Sequence, residues 1–297
     1  MASKKLKSAF AGAGLIYSAA IWGSTFFIVK DALSGVDPVI MVAYRFLLAG
    51  IILLPFLAVT KRNVLKNLRQ GFILALALWL LYVLQTIGLK YTTASNSGFI
   101  TGLFVAFIPV FNFVIFGRKS KFMESLAVIL SLLGLWVLTG GLRDINTGDI
   151  LTVGAAVMYA LHVLVADKYM KSGSDAFVLS CQQFLLMGIF SVITGIIFDL
   201  PFTITGSKIG GVIVFLAIFP TLSAFVIQLL SQKLVAPLKV SLIFATEPVF
   251  VALFAWTLGG ETPILYRALG GVLIFISLIV SGLPSPRMFG KAKRLRI

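Results

Sequence analysis

Long apolar runs, each about the length of a membrane crossing, alternate with short polar turns along nearly the whole chain. A helix needs about 20 apolar residues to cross the hydrocarbon of a bilayer. Ten such runs are present, at roughly 9–30, 38–60, 70–91, 94–117, 122–141, 149–168, 175–199, 207–231, 234–257 and 263–283. They leave no room for a soluble domain. The runs are continuous rather than alternating residue by residue, which excludes a transmembrane β-barrel. The pattern predicts an all-α integral membrane protein with ten transmembrane helices. A hydrophobic fraction of 59%, a charged fraction of 12% and a mean hydropathy of +1.06 over 297 residues agree with it.

The net charge of +15 changes the picture only through its placement. With the N-terminus inside, nineteen basic residues fall in inner segments and five in outer ones, and Arg45 lies within the second run. That asymmetry follows the positive-inside rule, so both termini are expected in the cytoplasm and nucleic acid is not an expected partner. Lys4, Lys5 and Lys7 before an apolar run resemble a signal peptide. The run is longer than a signal core and nine more follow, so it is read as the first helix. Short loops and no N-terminal extension point to the cytoplasmic membrane of a prokaryote. A single cysteine, Cys181, permits no internal disulfide. One cysteine and one histidine do not make a zinc site, and no cofactor or metal is expected.

Internal repetition gives the next layer. Asp37-Pro38 followed by Tyr44-Arg45-Phe46-Leu47-Leu48-Ala49-Gly50 is answered by Asp175-Ala176 and Gln182-Gln183-Phe184-Leu185-Leu186-Met187-Gly188, at a constant offset of 138. Pro109-Val110-Phe111 is answered by Pro248-Val249-Phe250 at offset 139, and Gln85…Lys90 by Gln228…Lys233 at offset 143. The halves are taken as 1–141 and 149–283, with a basic tail at 284–297. Five spans per half is an odd number, so the halves must enter the membrane from opposite sides. Inverted repeats of this kind characterise many secondary transporters, whose site lies near mid-membrane at the repeat interface.

Trp22-Gly23-Ser24-Thr25-Phe26, Tyr44-Arg45-Phe46, the stretch from Tyr91 to Phe99, and Glu247-Pro248-Val249-Phe250 leading to Gly260-Glu261 together resemble the EamA family of the drug/metabolite transporter superfamily. The resemblance covers essentially the whole chain. It implies ten helices and carrier activity, often export of amino acids, nucleosides or other metabolites. The chain departs from the common pattern at Ile108, which stands where a Glu would precede Pro109, and at Arg118-Lys119, where many members continue toward an acidic residue.

The candidate chemistry centres on Glu247-Pro248. A carboxylate in hydrocarbon costs about 2.5 to 3.5 kcal/mol on insertion scales and normally faces a partner or a wet cavity. Pro248 removes one backbone donor, and such breaks are tolerated where neighbours, water or a cavity satisfy the freed carbonyl. A cavity near mid-membrane is favoured over a Glu that only joins helices. Trp79, Tyr82, Gln85 and Thr86 share a helical face that suits either a flat, partly polar metabolite or ordinary packing. Arg45 offers a planar fork for carboxylate or phosphate, although pairing with an acid or snorkelling to the outer interface is the preferred reading. His162 is a proton relay or, more commonly, a packed neutral histidine. Trp22 and Tyr159 are candidate cavity walls, and Asn96 candidate polar lining beside Gly98 and Gly102.

No hydrolase, metalloprotease, P-loop or dinucleotide motif occurs, so enzyme chemistry is not expected. The sequence therefore predicts a secondary transporter, with export of a small organic metabolite such as an amino acid. Its substrate is expected among Trp22, Tyr44, Trp79, Tyr82, Gln85, Asn96, His162 and Glu247. Protons are the candidate coupling ion, and membrane lipid is the surrounding partner. A channel or lipid scramblase remains the alternative. Oligomeric state is not readable.

Overall fold

The computed structural model describes residues 2–139, 145–257, 265–281 and 283. Gly260-Glu261, Arg143 and the basic tail lie outside these. The described elements are α1 (Ala2–Ala32), α2 (Pro38–Val59), α3 (Leu68–Tyr91), α4 (Ala94–Gly102), α5 (Phe104–Phe116), α6 (Phe122–Thr139) and α7 (Thr147–Lys171). After these come α8 (Ala176–Ile197), α9 (Ser207–Leu216), a π-helical segment (Ala217–Ser223), α10 (Ala224–Gln232), α11 (Pro237–Phe244), α12 (Glu247–Thr257) and α13 (Leu265–Ser281). No strand occurs among the described residues. Eight helical stretches are long and apolar enough to cross a membrane, and α6 and α13 contain shorter apolar helices.

The repeated aspartates open their helices as caps. Asp37 accepts from the Val39 N–H at 2.8 Å with Pro38 in the first turn of α2. Asp175 accepts from the Phe177 and Val178 N–H groups at the start of α8. Each carboxylate meets backbone donors that the first helical turn leaves unpaired.

Helices α2 and α8 run antiparallel and very close. Ile40 lies against Gly195, Leu47 against Gly188, Gly50 against Leu185 and Phe56 against Phe177, so the numbers rise on one helix as they fall on the other. A Cβ on Gly50 would sit 2.6 Å from Leu185 Cδ2, and one on Gly188 would sit 2.7 Å from Leu47 Cγ. Outside this pair, α3 packs on α7, α1 on α10, and α6 on α13. Helices α4 and α5 rest on α7, while α11 and α12 rest on α1.

Three of the long stretches are interrupted. The stretch with Pro109 breaks at Leu103, between α4 and α5, while Pro109 itself lies inside α5. The stretch with Pro248 ends at Phe244 and restarts at Glu247, so Pro248 occupies the first turn of α12, where a missing N–H costs no helical bond. At Pro220 the chain stays helical but widens into the π-helical segment, a common answer to a proline inside a helix.

Gly188→Val places a branched side chain 3.0 Å from the Leu47 backbone nitrogen and is expected to destabilise the fold by about 1 to 3 kcal/mol. Gly210→Ala, with nothing within 4 Å, should leave stability unchanged or slightly raised. Thermal unfolding in detergent compares the two.

Candidate functional site

The central cavity lies between α1, α3 and the broken stretches, and spans about 510 Å³ counting the gaps between side chains and the open space at its mouth. As its walls stand, it has room for only a few water molecules. Trp22, Thr25, Phe26 and Val29 line it from α1, and Leu81, Tyr82, Gln85, Thr86 and Leu89 from α3. Arg45, Thr101, Tyr159, Phe225 and Glu247 complete the wall. Gly23 brings α1 directly against the start of α12: a Cβ there would meet the Glu247 carbonyl oxygen at 2.8 Å.

The π-helical segment holds two of these side chains in place. Trp22 Nε1 donates to the Pro220 carbonyl at 2.6 Å, and Arg45 Nε donates to Thr221 Oγ1 at 2.5 Å. Thr221 in turn donates to the Leu216 carbonyl at 2.7 Å. Arg45 also lies 4.8 Å over the Tyr82 ring, with a longer Nη2 contact of 3.4 Å to its hydroxyl. Arg45 is only 5% exposed, and among the described residues it has no acidic partner. The expectation of an acidic pair or of snorkelling is therefore replaced: neutral acceptors and aromatic faces hold the charge, an environment that suits a weakly hydrated guanidinium.

Glu247 is 6% exposed and, among the described residues, its carboxylate receives no hydrogen bond or ion pair. One cavity thus carries a cation and a carboxylate that do not meet each other. Aromatic rings make up much of the wall around them. Trp22 lies edge-on to Tyr159 and Phe244, and Phe225 touches Trp22, Phe46 and Tyr82.

The EamA-like transporter family matches this chain twice, at residues 10–140 and 146–283. The chain belongs to the EamA-like transporter family. An uncharacterized transporter of Archaeoglobus fulgidus is 30% identical over 94% of this chain and 87% of its own length. The uncharacterized inner membrane transporter YedA of Escherichia coli K12 is 28% identical over 88% of each chain. A crystal structure of another protein, 18% identical, covers 95% of this chain and 99% of its own with a TM-score of 0.78, and shows the shared fold. This EamA-like protein is a multi-pass membrane transporter.

In this EamA-like transporter, Trp22, Tyr82, Gln85 and Glu247 meet at the cavity, and four of the other sequence candidates stand apart from it. Tyr44 donates from its hydroxyl to the Phe202 carbonyl at 2.7 Å and lies beside an outer apolar groove with Leu47 and Ile204. Trp79 packs edge-on against Phe190. Asn96 is half-buried in the first turn of α4, its N–H held by Thr93 Oγ1. His162 is fully buried behind Phe225, with Nε2 2.9 Å from Gln183 Oε1. Thr101, Thr221 and Phe225 were not singled out from sequence. Thr101 accepts from Gln85 Nε2 at 2.9 Å, and only its helical spacing from Ser97 and Gly98 marked it.

Thr221→Val keeps the shape of the side chain but leaves the Arg45 Nε donor without its acceptor. A hydrogen bond to a charged group is worth about 1.5 to 3 kcal/mol, so stability should fall by that amount, while Thr221→Ser should retain most of it. Thermal unfolding of the two purified variants checks this.

Proposed function

We propose that the protein is a secondary carrier that exports a small zwitterionic metabolite, an amino acid or related compound, by alternating access. The observation that carries the substrate class is the pairing in one cavity of Arg45 and Glu247 without an ion pair between them. A carboxylate would meet the planar fork of Arg45 and an ammonium would meet Glu247, while Trp22, Tyr159 and Phe225 cover the apolar part. The walls must part to admit it, which fits a site that opens and closes. The export direction is supported by the family resemblance. Glu247 reaches the cavity and His162 does not, so a coupled proton would bind at Glu247.

Two inverted repeats, 1–141 and 149–283, are supported by the contacts. Gly50 meets Leu185 and Gly188 meets Leu47, both partners shifted by 138. Tyr44 donates to the Phe202 carbonyl while Gln182 donates to the Val64 carbonyl, again both shifted by 138. The α3–α7 pairing is answered by α10 on α1, and α4 and α5 on α7 by α11 and α12 on α1. Such reciprocity is what a two-fold axis produces, and an odd number of spans per half would set that axis in the membrane plane. The basic loops then lie inside with both termini and the tail 284–297, in the cytoplasmic membrane of a prokaryote.

The test is the composition of medium from cells producing the wild type or Glu247→Gln at equal membrane levels. Amino acids should accumulate outside with the wild type and stay at the level of cells lacking the protein with Glu247→Gln. Export by both forms alike would make Glu247 structural. Flux without saturation or counterflow in vesicles would replace the carrier by a channel.

A further inference from the structure

A second polar cluster lies on the other side of the aromatic core and takes no part in the cavity. His162 Nε2 meets Gln183 Oε1 at 2.9 Å, while His162 Nδ1 and Gln183 Nε2 have no partner among the described residues. Gln228 is fully buried, and neither of its amide atoms is bonded among the described residues. It stands on α10 between Phe225, whose ring lies edge-on to His162, and Gln232, which donates to the Val163 carbonyl at 2.8 Å. Residues 225, 228 and 232 share one face of α10 by helical spacing. So many buried amide and imidazole atoms without partners are rare in a settled interior, and each needs water, an ion or a ligand to account for it.

The repeat supplies the account. Gln183 stands where Arg45 stands in the first half, at offset 138, and Phe225 and Gln228 stand where Tyr82 and Gln85 stand, at offset 143. His162 follows Tyr159 by three residues, as Thr25 follows Trp22. Three cavity-lining residues, Thr25, Arg45 and Gln85, therefore have their counterparts His162, Gln183 and Gln228 in the closed cluster, and Phe225 stands between the two groups. The positions also differ in depth. The cavity reaches Val29 and Leu89, near the ends of α1 and α3. The cluster lies toward the start of α1, where Ser231 donates to the Ala11 carbonyl.

We infer that His162, Gln183 and Gln228 form a second substrate subsite, closed in this conformation and opened toward the basic loops when the halves exchange roles. This rests on the carrier reading above. The counterpart of Arg45 is an amide and the counterpart of Glu247 is Ile108, so the subsite carries no fixed acid or cation. It takes uncharged hydrogen-bonding groups of the same substrate and holds it less firmly than the cavity does, as release requires.

The test uses the full-length protein with Cys181→Ala, in right-side-out and inside-out vesicles, and a membrane-impermeant cationic methanethiosulfonate as probe. Gln228→Cys is expected to be labelled from the basic-loop face and Gln85→Cys from the opposite face. A mixture of the twenty amino acids should slow both. Gln183→Cys replaces Gln228→Cys if the latter does not reach the membrane. Labelling and protection at Gln85→Cys with none at Gln228→Cys from either face overturns the subsite and leaves the carrier standing. Labelling of both positions from one face describes a pore, and overturns the carrier and the subsite together. Protection at neither position removes the amino-acid substrate, and the subsite with it.

Discussion

In hydrocarbon a backbone carbonyl that loses its helical partner has no water to turn to, and the centre of this protein is arranged around that constraint. The helical ladder is disturbed at Leu103, at Pro220 and between Phe244 and Glu247, all close to the cavity. The carbonyl that an N–H at position 220 would serve in an α-helix is that of Leu216, and it accepts from the Thr221 hydroxyl, while the Trp22 indole N–H donates to the Pro220 carbonyl itself. The same widened turn presents Thr221 to Arg45. The widened turn thus holds two cavity side chains, Arg45 through Thr221 and Trp22 through the Pro220 carbonyl. The repair and the site are one structure.

Glycine sets the distance between the halves. Gly50 and Gly188 let α2 and α8 approach until each backbone lies against a leucine of the other, and close backbone approach through small residues is the usual basis of helix association in membranes. Because each glycine meets the repeat counterpart of the other's leucine, the contact is built twice from one pattern. The polar anchoring follows the same rule, with Tyr44 and Gln182 each fixing a carbonyl of the opposite half. Rim and core are therefore tied by the same pair of helices.

Much of this was legible in the residues. Asp37 and Asp175 announced two helix starts at one offset, because only short polar side chains cap an apolar helix well. Glu247 and Trp22 announced a cavity, because a carboxylate in hydrocarbon needs one. Other features were not legible. Tyr44 and Arg45 are neighbours about 100° apart on a helix, so when Arg45 turns inward Tyr44 turns to the rim. Trp79 shares a stripe with Tyr82, but a stripe does not tell how far along the helix a cavity extends. His162 is screened by Phe225 from another helix, which no local pattern contains. The break at Leu103 has no proline of its own, while Pro109 lies unbroken inside α5.

The bond between Trp22 and the Pro220 carbonyl also makes the protein its own optical reporter. Trp22 is 5% exposed, packed among Tyr159, Phe225 and Phe244, with its N–H engaged. An indole in such dry surroundings emits at short wavelength. Any relaxation of the π-helical segment that hydrates or frees that N–H shifts the emission to the red. Trp136 on α6 is 59% exposed and does not line the cavity, so its emission is separated from that of Trp22 once Trp79, Trp136 and Trp256 are replaced in turn. The chain can therefore be watched through its own light as the cavity changes shape.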